Sequence, residues 1–239
     1  MIWPQNAIAA VAVLLATTAL TGLAVRRRVG VCWSFVAYLG VIAAADLLML
    51  VWPDQFWLLW FFVGKELVIN VLRFAVALEL TYRTFRAFPS ARATARGVLL
   101  LVLVVTLAIV FIGTEDLKAP DGAPALGPLM TRVQPRVLNG SIWLLSAIAG
   151  LILWYRLPVH PLHKAILVGM VPYLLIFSVS LNLLESRGWE IAAGASYLNT
   201  LGFLLALGYW VFAAWRPDAV PVNVASPPGP NPTLDRVTG

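Results

Sequence analysis

Seven stretches of the chain are apolar with few interruptions, at roughly 5–25, 31–52, 56–82, 97–113, 134–156, 163–184 and 191–214. Each runs for about 17–27 residues, enough at roughly 1.5 Å per residue to cross about 30 Å of hydrocarbon. In lipid every backbone donor and acceptor must be satisfied within the segment, so the pattern predicts helices. The expected fold class is all-α: an integral membrane bundle of seven transmembrane helices in one domain over 1–215, with a Pro-rich disordered tail over 216–239. Most connections are short. The exception is 113–136, which is long and rich in proline and glycine.

Lysine and arginine give the orientation. Arg26, Arg27 and Arg28 fill the first connection, Arg83, Arg86, Arg92 and Arg96 surround the third, Arg156 and Lys164 the fifth, and Arg216 and Arg236 lie in the tail. The alternate connections hold Lys118, Arg132, Arg136 and Arg187 among Asp54, Glu115, Asp116, Asp121, Glu185 and Glu190. The basic excess marks the cytoplasmic side, which places the N-terminus outside and the C-terminus inside. The first run lacks a basic leader and is followed by arginines, so it reads as an anchor rather than a cleavable signal. Trp3, Trp33, Trp52, Trp143, Trp154, Tyr155, Trp210 and Trp215 fall near run ends, as in an interfacial aromatic belt.

Composition agrees: 61% apolar and only 12% charged residues, with a mean hydropathy of +0.86. A soluble domain is near a quarter charged. The net charge of +6 is scattered over the connections, which excludes a nucleic-acid surface and fits anionic lipid. Cys32 is the only cysteine and reads as a small apolar residue in a helix. His160 and His163 share one connection, which excludes haem held by histidines of facing helices. Their spacing of three suits two metal ligands, but no carboxylate or cysteine completes a site, so no metal is expected. The last run has no lysine for a retinal Schiff base, and no nucleotide, protease or zinc motif occurs. No cofactor and no catalytic residue is assigned.

The third run departs from the rest. Asp54 is placed to cap it, and it is expected to continue as helix to Phe88, before Pro89. Within it stand Lys65, Glu66, Asn70, Arg73 and Glu79, and the second run adds Asp46. A charge at the bilayer centre costs roughly 2.5–3.5 kcal/mol, so this set unpaired would cost on the order of 10 kcal/mol. These residues must pair, face a wet cavity or lose charge. Glu66, Asn70 and Arg73 share one helical stripe, and Lys65, Glu79, Arg83 and Arg86 another. Counted from the turn at 52–55, Asp46 and Lys65 lie at one depth. Glu79, four residues before Arg83, lies towards the cytoplasm.

Asn139, Ser141 and Ser146, Ser178, Asn182 and Glu185, and Ser196, Asn199 and Thr200 supply polar groups at outer depth on the last three runs. The expected binding site is Asp46, Lys65, Glu66, Asn70, Arg73, Glu79, Asn182 and Asn199, open to the outside. The competing reading is that Glu66–Arg73 and Asp46–Lys65 are packing ion pairs and that the serines and asparagines bond helix to helix. Pro172 is expected to kink the sixth run.

Trp60, Glu66, Phe74-Ala75-Val76, Glu79 and the aromatic-arginine run from Phe85 to Arg92 resemble a family of uncharacterised bacterial seven-span membrane proteins. The resemblance covers one hairpin in detail and the rest by topology. It implies a bacterial inner-membrane location, and because the family has no assigned activity it carries over no catalytic residue. Glu66 and Glu79 match the family pattern, whereas Arg73 stands where a small residue is expected.

The functional expectation is a sensory or ligand-binding membrane module rather than an enzyme. Its alternatives are a structural or assembly subunit and a small proton-coupled transporter using Glu66, the latter weakened by the lack of internal repeats. No soluble output domain is attached, so a sensor needs a separate partner. Expected partners are the lipid bilayer, a small ligand or ion from the outer side, and a membrane or cytoplasmic protein.

Overall fold

The computed structural model describes residues 3–86, 160–187 and 192–217, with helical residues 97, 104, 142–143, 145–150 and 152. The described residues form helices and no strand. Helix α1 spans Trp3–Val25, α2 Trp33–Val51, the single turn α3 Pro53–Phe56, α4 Leu59–Arg86, α5 Pro161–Arg187 and α6 Ala192–Trp215. A 3-10 turn at Val29–Val31 lies between α1 and α2.

Four of these helices are long and apolar enough to cross a membrane, over Asn6–Val25, Trp33–Val51, Pro161–Leu183 and Ala193–Trp215. Only 28–44% of each apolar stretch is buried. Leu14, Leu47, Val168, Leu175, Leu201, Leu205 and Phe212 point outward. So much exposed apolar surface in water would aggregate, and lipid is the solvent that suits it. Helix α4 is long enough to span as well, at 28 residues, but its charges keep it out of this apolar set.

Pair contacts give the helix directions. Asp46 meets Lys65 while Cys32, Trp33 and Ser34 meet Glu79, so α2 and α4 are antiparallel. Gly169 faces Trp210 and Gly202 faces Ile176, so α5 and α6 are antiparallel. Gly22 and Thr18 of α1 meet Trp215, and Ile8 and Ala9 share a cavity with Ser196 and Tyr197, so α1 and α6 run parallel. Small side chains at Ala12, Ala16, Ala19 and Gly22 line the buried side of α1 and let α6 approach closely. His163, in the first turn of α5, reaches the carbonyl of Val31 at 2.9 Å, so α5 starts at the end where α4 finishes.

At the centre, Trp210 of α6 packs edge-on against Phe35 at 5.2 Å and Tyr38 at 6.2 Å between ring centroids. Trp210 is 2% exposed, which corrects its assignment to an interfacial belt. The indole fits because residue 169 has no side chain; a Cβ there would land on the ring. Trp33, Trp52 and Trp215 do stand exposed near helix ends, and Trp143 is exposed.

The third run also needs correction. The chain breaks at Trp57 and Leu58, so α4 begins at Leu59 rather than at 56. Asp54 lies in the first turn of α3 and does not cap the long helix. Pro53 at the start of α3, where no amide hydrogen is needed, explains why a separate turn forms. Cys32 is buried but sits at the N-cap of α2 with extended backbone, not inside a helix. Helix α5 passes through Pro172 as one continuous element. The runs 97–113 and 134–156, the extension of α4 to 88 and the tail beyond 217 lie outside the described residues, apart from the helical positions named above. Of those, Ile142, Leu145, Ile148 and Ile152 are buried on one helical face.

Gly169→Ala should therefore lower stability by about 1–3 kcal/mol through overpacking against Trp210. Gly208→Ala, where a Cβ meets nothing, should be neutral or slightly stabilising. Melting of the two purified variants in one detergent checks this; equal melting temperatures would refute the packing role of Gly169.

Candidate functional site

Helices α1, α2, α4, α5 and α6 enclose a cavity of ≈ 420 Å³. Its entrance lies among the exposed Ser196 and Tyr197 of α6, Ile8 of α1 and the Asp46–Lys65 pair. Its floor is formed by Tyr38 of α2, Arg73 of α4, Tyr173 of α5 and Phe203 of α6. Between floor and entrance stand Glu66, Asn199 and Thr200.

Lys65 and Asp46 face each other across the α2–α4 contact with 2.6 Å between Nζ and Oδ1, their side chains 15% and 12% exposed. They answer one another at the level the hairpin count predicts. About two turns deeper, Arg73 is 2% exposed. Its Nη1 donates to Asn70 Oδ1 at 2.8 Å and its Nη2 to the hydroxyl of Tyr173 at 3.4 Å. The guanidinium lies 5.8 Å from the Tyr173 ring centre and 5.6 Å from that of Phe177, within cation–π range. Glu66 and Tyr38 lie within electrostatic reach of the same guanidinium.

This satisfaction is incomplete. Among the described residues, five buried polar atoms lack a hydrogen-bond partner: Arg73 Nε, the Tyr38 hydroxyl and Asn199 Oδ1 belong to residues lining the cavity, and Arg28 Nε and Trp210 Nε1 lie outside it. A donor or acceptor left so costs about 1–3 kcal/mol, and more for a charged group. The three at the cavity mark a place for further polar atoms.

The cavity thus brings together Asp46, Lys65, Glu66, Arg73 and Asn199 of the expected set. Asn70 is buried behind Arg73 and orients it without lining the space. Glu79 is elsewhere: it lies at the basic end, where Trp33 N donates to its Oε1 at 3.1 Å and Ser34 N and Oγ to its Oε2 at 2.7 and 2.8 Å. Arg83 Nε donates to Oε1 at 2.7 Å. Six residues beyond Arg73 on a straight helix, it cannot reach the cavity floor. Asn182 also lies apart, exposed on α5 with its amide 3.5 Å from Ser178 Oγ, because that face of α5 turns away from α4. Of the other polar groups, Ser196 and Thr200 line the cavity and Ser178 does not. Asn139 and Ser141 fall outside the described residues.

Three contributors escaped the sequence reading. Tyr38 and Tyr173 had a usable signal, since a phenol inside an apolar run must find a partner for its hydroxyl. Arg28 had none: within a basic triplet, nothing distinguishes the residue that turns inward. It is 6% exposed, and its guanidinium donates to the carbonyls of Ala213, Ala214 and Arg216 at 2.7–3.3 Å.

Near Glu79, the histidines have other duties. His163 is engaged with Val31, and His160 Nδ1 accepts from the amide of Leu162 at 3.1 Å. No group of three metal-binding side chains occurs among the described residues. No family model, curated protein or solved structure matches the chain.

Breaking the upper pair by Lys65→Met leaves the Asp46 carboxylate without its cation and should cost about 3–5 kcal/mol. Adding Asp46→Asn should restore most of that loss. Thermal unfolding of both singles and the double gives the coupling, and strict additivity would show that the pair contributes nothing.

Proposed function

We propose that the protein is a multipass membrane protein of seven spans that binds a small polar ligand from the outer side and acts as a sensory or ligand-binding module. The observation that carries this reading is the cavity: it joins charged and polar groups of four helices around unanswered buried atoms, and its entrance lies at the end away from the Arg26–Arg28 cluster. A scaffold whose charges served only packing would be expected to close over them.

Seven spans are supported by parity. Helix α4 finishes and α5 begins at the same end of the bundle, so any crossings between them come in pairs. That segment holds two apolar runs, 97–113 and 134–156, and two crossings bring the five long described helices to seven. Arg26–Arg28, Arg83, Lys164 and Arg216 cluster at that same end, which is then cytoplasmic. The resemblance in α4 implies a bacterial inner membrane. A reporter active only outside the cytoplasm, fused after Asp54, should be active, and the same reporter fused after Arg28 or Arg216 should be silent; the reverse pattern would overturn the orientation.

The second reading is a structural or assembly subunit, favoured by the closed Asp46–Lys65 pair and by the ties around Glu79. A thermal-shift screen of the purified protein against ions, pH and small metabolites, run beside Glu66→Gln, separates the two. A shift in the wild type that is lost in the variant supports binding at α4. If nothing shifts the wild type while Glu66→Gln merely melts earlier, the charges are scaffolding.

A further inference from the structure

The chemistry of the cavity narrows the ligand. Its four charged lining residues, Asp46, Lys65, Glu66 and Arg73, carry two formal charges of each sign, so the site as a whole is neutral. A ligand with net charge would enter a low-dielectric space without a compensating field, which is costly. The three unanswered atoms at the cavity differ in kind with depth. At the floor, Arg73 Nε is a donor on a group that never loses its charge, and the Tyr38 hydroxyl, close to the same guanidinium, has no acceptor for its own hydrogen. Tyr173, already touching Arg73, adds a second phenol. Towards the entrance the unanswered atom is an acceptor, Asn199 Oδ1, with the hydroxyls of Ser196 and Thr200 on the same wall. Donors gathered around a fixed cation suit an anionic oxygen group. An acceptor further out suits an ammonium.

We propose that the cavity takes a small zwitterion, with its anionic oxyacid group on Arg73 and Tyr38 and its ammonium towards Asn199. This rests on the binding reading above. The volume of ≈ 420 Å³ lies in the range of small-molecule sites and has room for a free amino acid. The ethanolamine headgroup of a phospholipid presents the same two charges from the bilayer.

The test uses the full chain in nanodiscs and follows melting and affinity with three probes of nearly one shape. These are 4-aminobutanoate, butanoate and butylamine, with L-alanine and L-leucine added. The expected result is that at least one of the three amino acids binds tenfold or more tighter than both single-charge probes. Tyr38→Phe and Asn199→Ala should each weaken it by roughly tenfold. Arg73→Gln should abolish binding, but a buried arginine is also structural, so the two milder variants decide. Repeating the measurement with and without ethanolamine phospholipid assigns the source: stabilisation that requires the lipid identifies the headgroup, and stabilisation by free amino acids alone identifies a soluble ligand.

The inference is overturned if butanoate or butylamine matches the amino acids, if no amino acid and no ethanolamine lipid has an effect, or if both milder variants bind as the wild type does. A neutral metabolite that binds in a Tyr38-dependent way would refute the zwitterion while leaving the binding module standing.

Discussion

A helix end buried among other helices exposes backbone groups that neither lipid nor its own turn can answer, and much of this bundle is organised around answering them. Helix α2 starts at Trp33 without a cap from its own N-cap side chain. Glu79 of α4 supplies the cap from across the interface by accepting the amides of Trp33 and Ser34. Helix α6 ends in carbonyls, and Arg28, from the connection after α1, donates to three of them while Arg26 donates to the carbonyl of Trp215. The signs follow the helix dipole: the anion sits at an N-terminus and the cation at a C-terminus. Two charges that would be expensive alone become the fastenings that join α1, α2, α4 and α6 at the basic end.

The opposite end is held differently. There the charged contact between α2 and α4 is the Asp46–Lys65 pair, and the apolar contacts give way to the cavity. The bundle is tied at one end and hollow towards the other, with Trp210, Phe35 and Tyr38 packed between the two regions. Tyr38 belongs to both, since its ring meets Trp210 and its hydroxyl faces the cavity floor. The small residues on α1 serve the same asymmetry, because they bring the backbones of α1 and α6 together near Gly22.

What was legible in the sequence depended on how local its cause was. Helices over 33–51, 161–187 and 192–215 agree to within three residues with the apolar runs at 31–52, 163–184 and 191–214, and the Asp46–Lys65 pairing follows from counting residues back from a short turn. The break at Trp57 was harder to read, because Pro53 and Asp54 suit the start of either a short helix or a long one. The site was half legible. Depth along a span can be counted, which placed Asp46, Lys65, Glu66, Arg73 and Asn199 together, but rotation about the helix axis cannot be counted without knowing the neighbours. Hence Asn182, at a suitable depth, faces away. Glu79 was grouped with the cavity because charge in a span looks alike whether it meets a ligand or a helix end. Nothing in one sequence ties Trp210 to Gly169, forty-one positions earlier, so its place near a run end suggests an interface.

The two ends of the molecule are joined by α4. Arg73 at the cavity floor and Glu79 at the start of α2 are six residues apart, about 9 Å along a continuous helix. A rigid element carrying both cannot shift at one without straining the other. A ligand moves such an element only to the extent that it binds one position better than the other. The contacts that resist movement at the basic end are charge-assisted hydrogen bonds of 2.7–3.1 Å, each worth more than a neutral one. A small rotation of α4 would therefore either break the Glu79 cap as a unit or leave it whole. If the cavity binds a ligand, α4 is the element through which binding would reach the Glu79 cap and α2's first turn at the basic end.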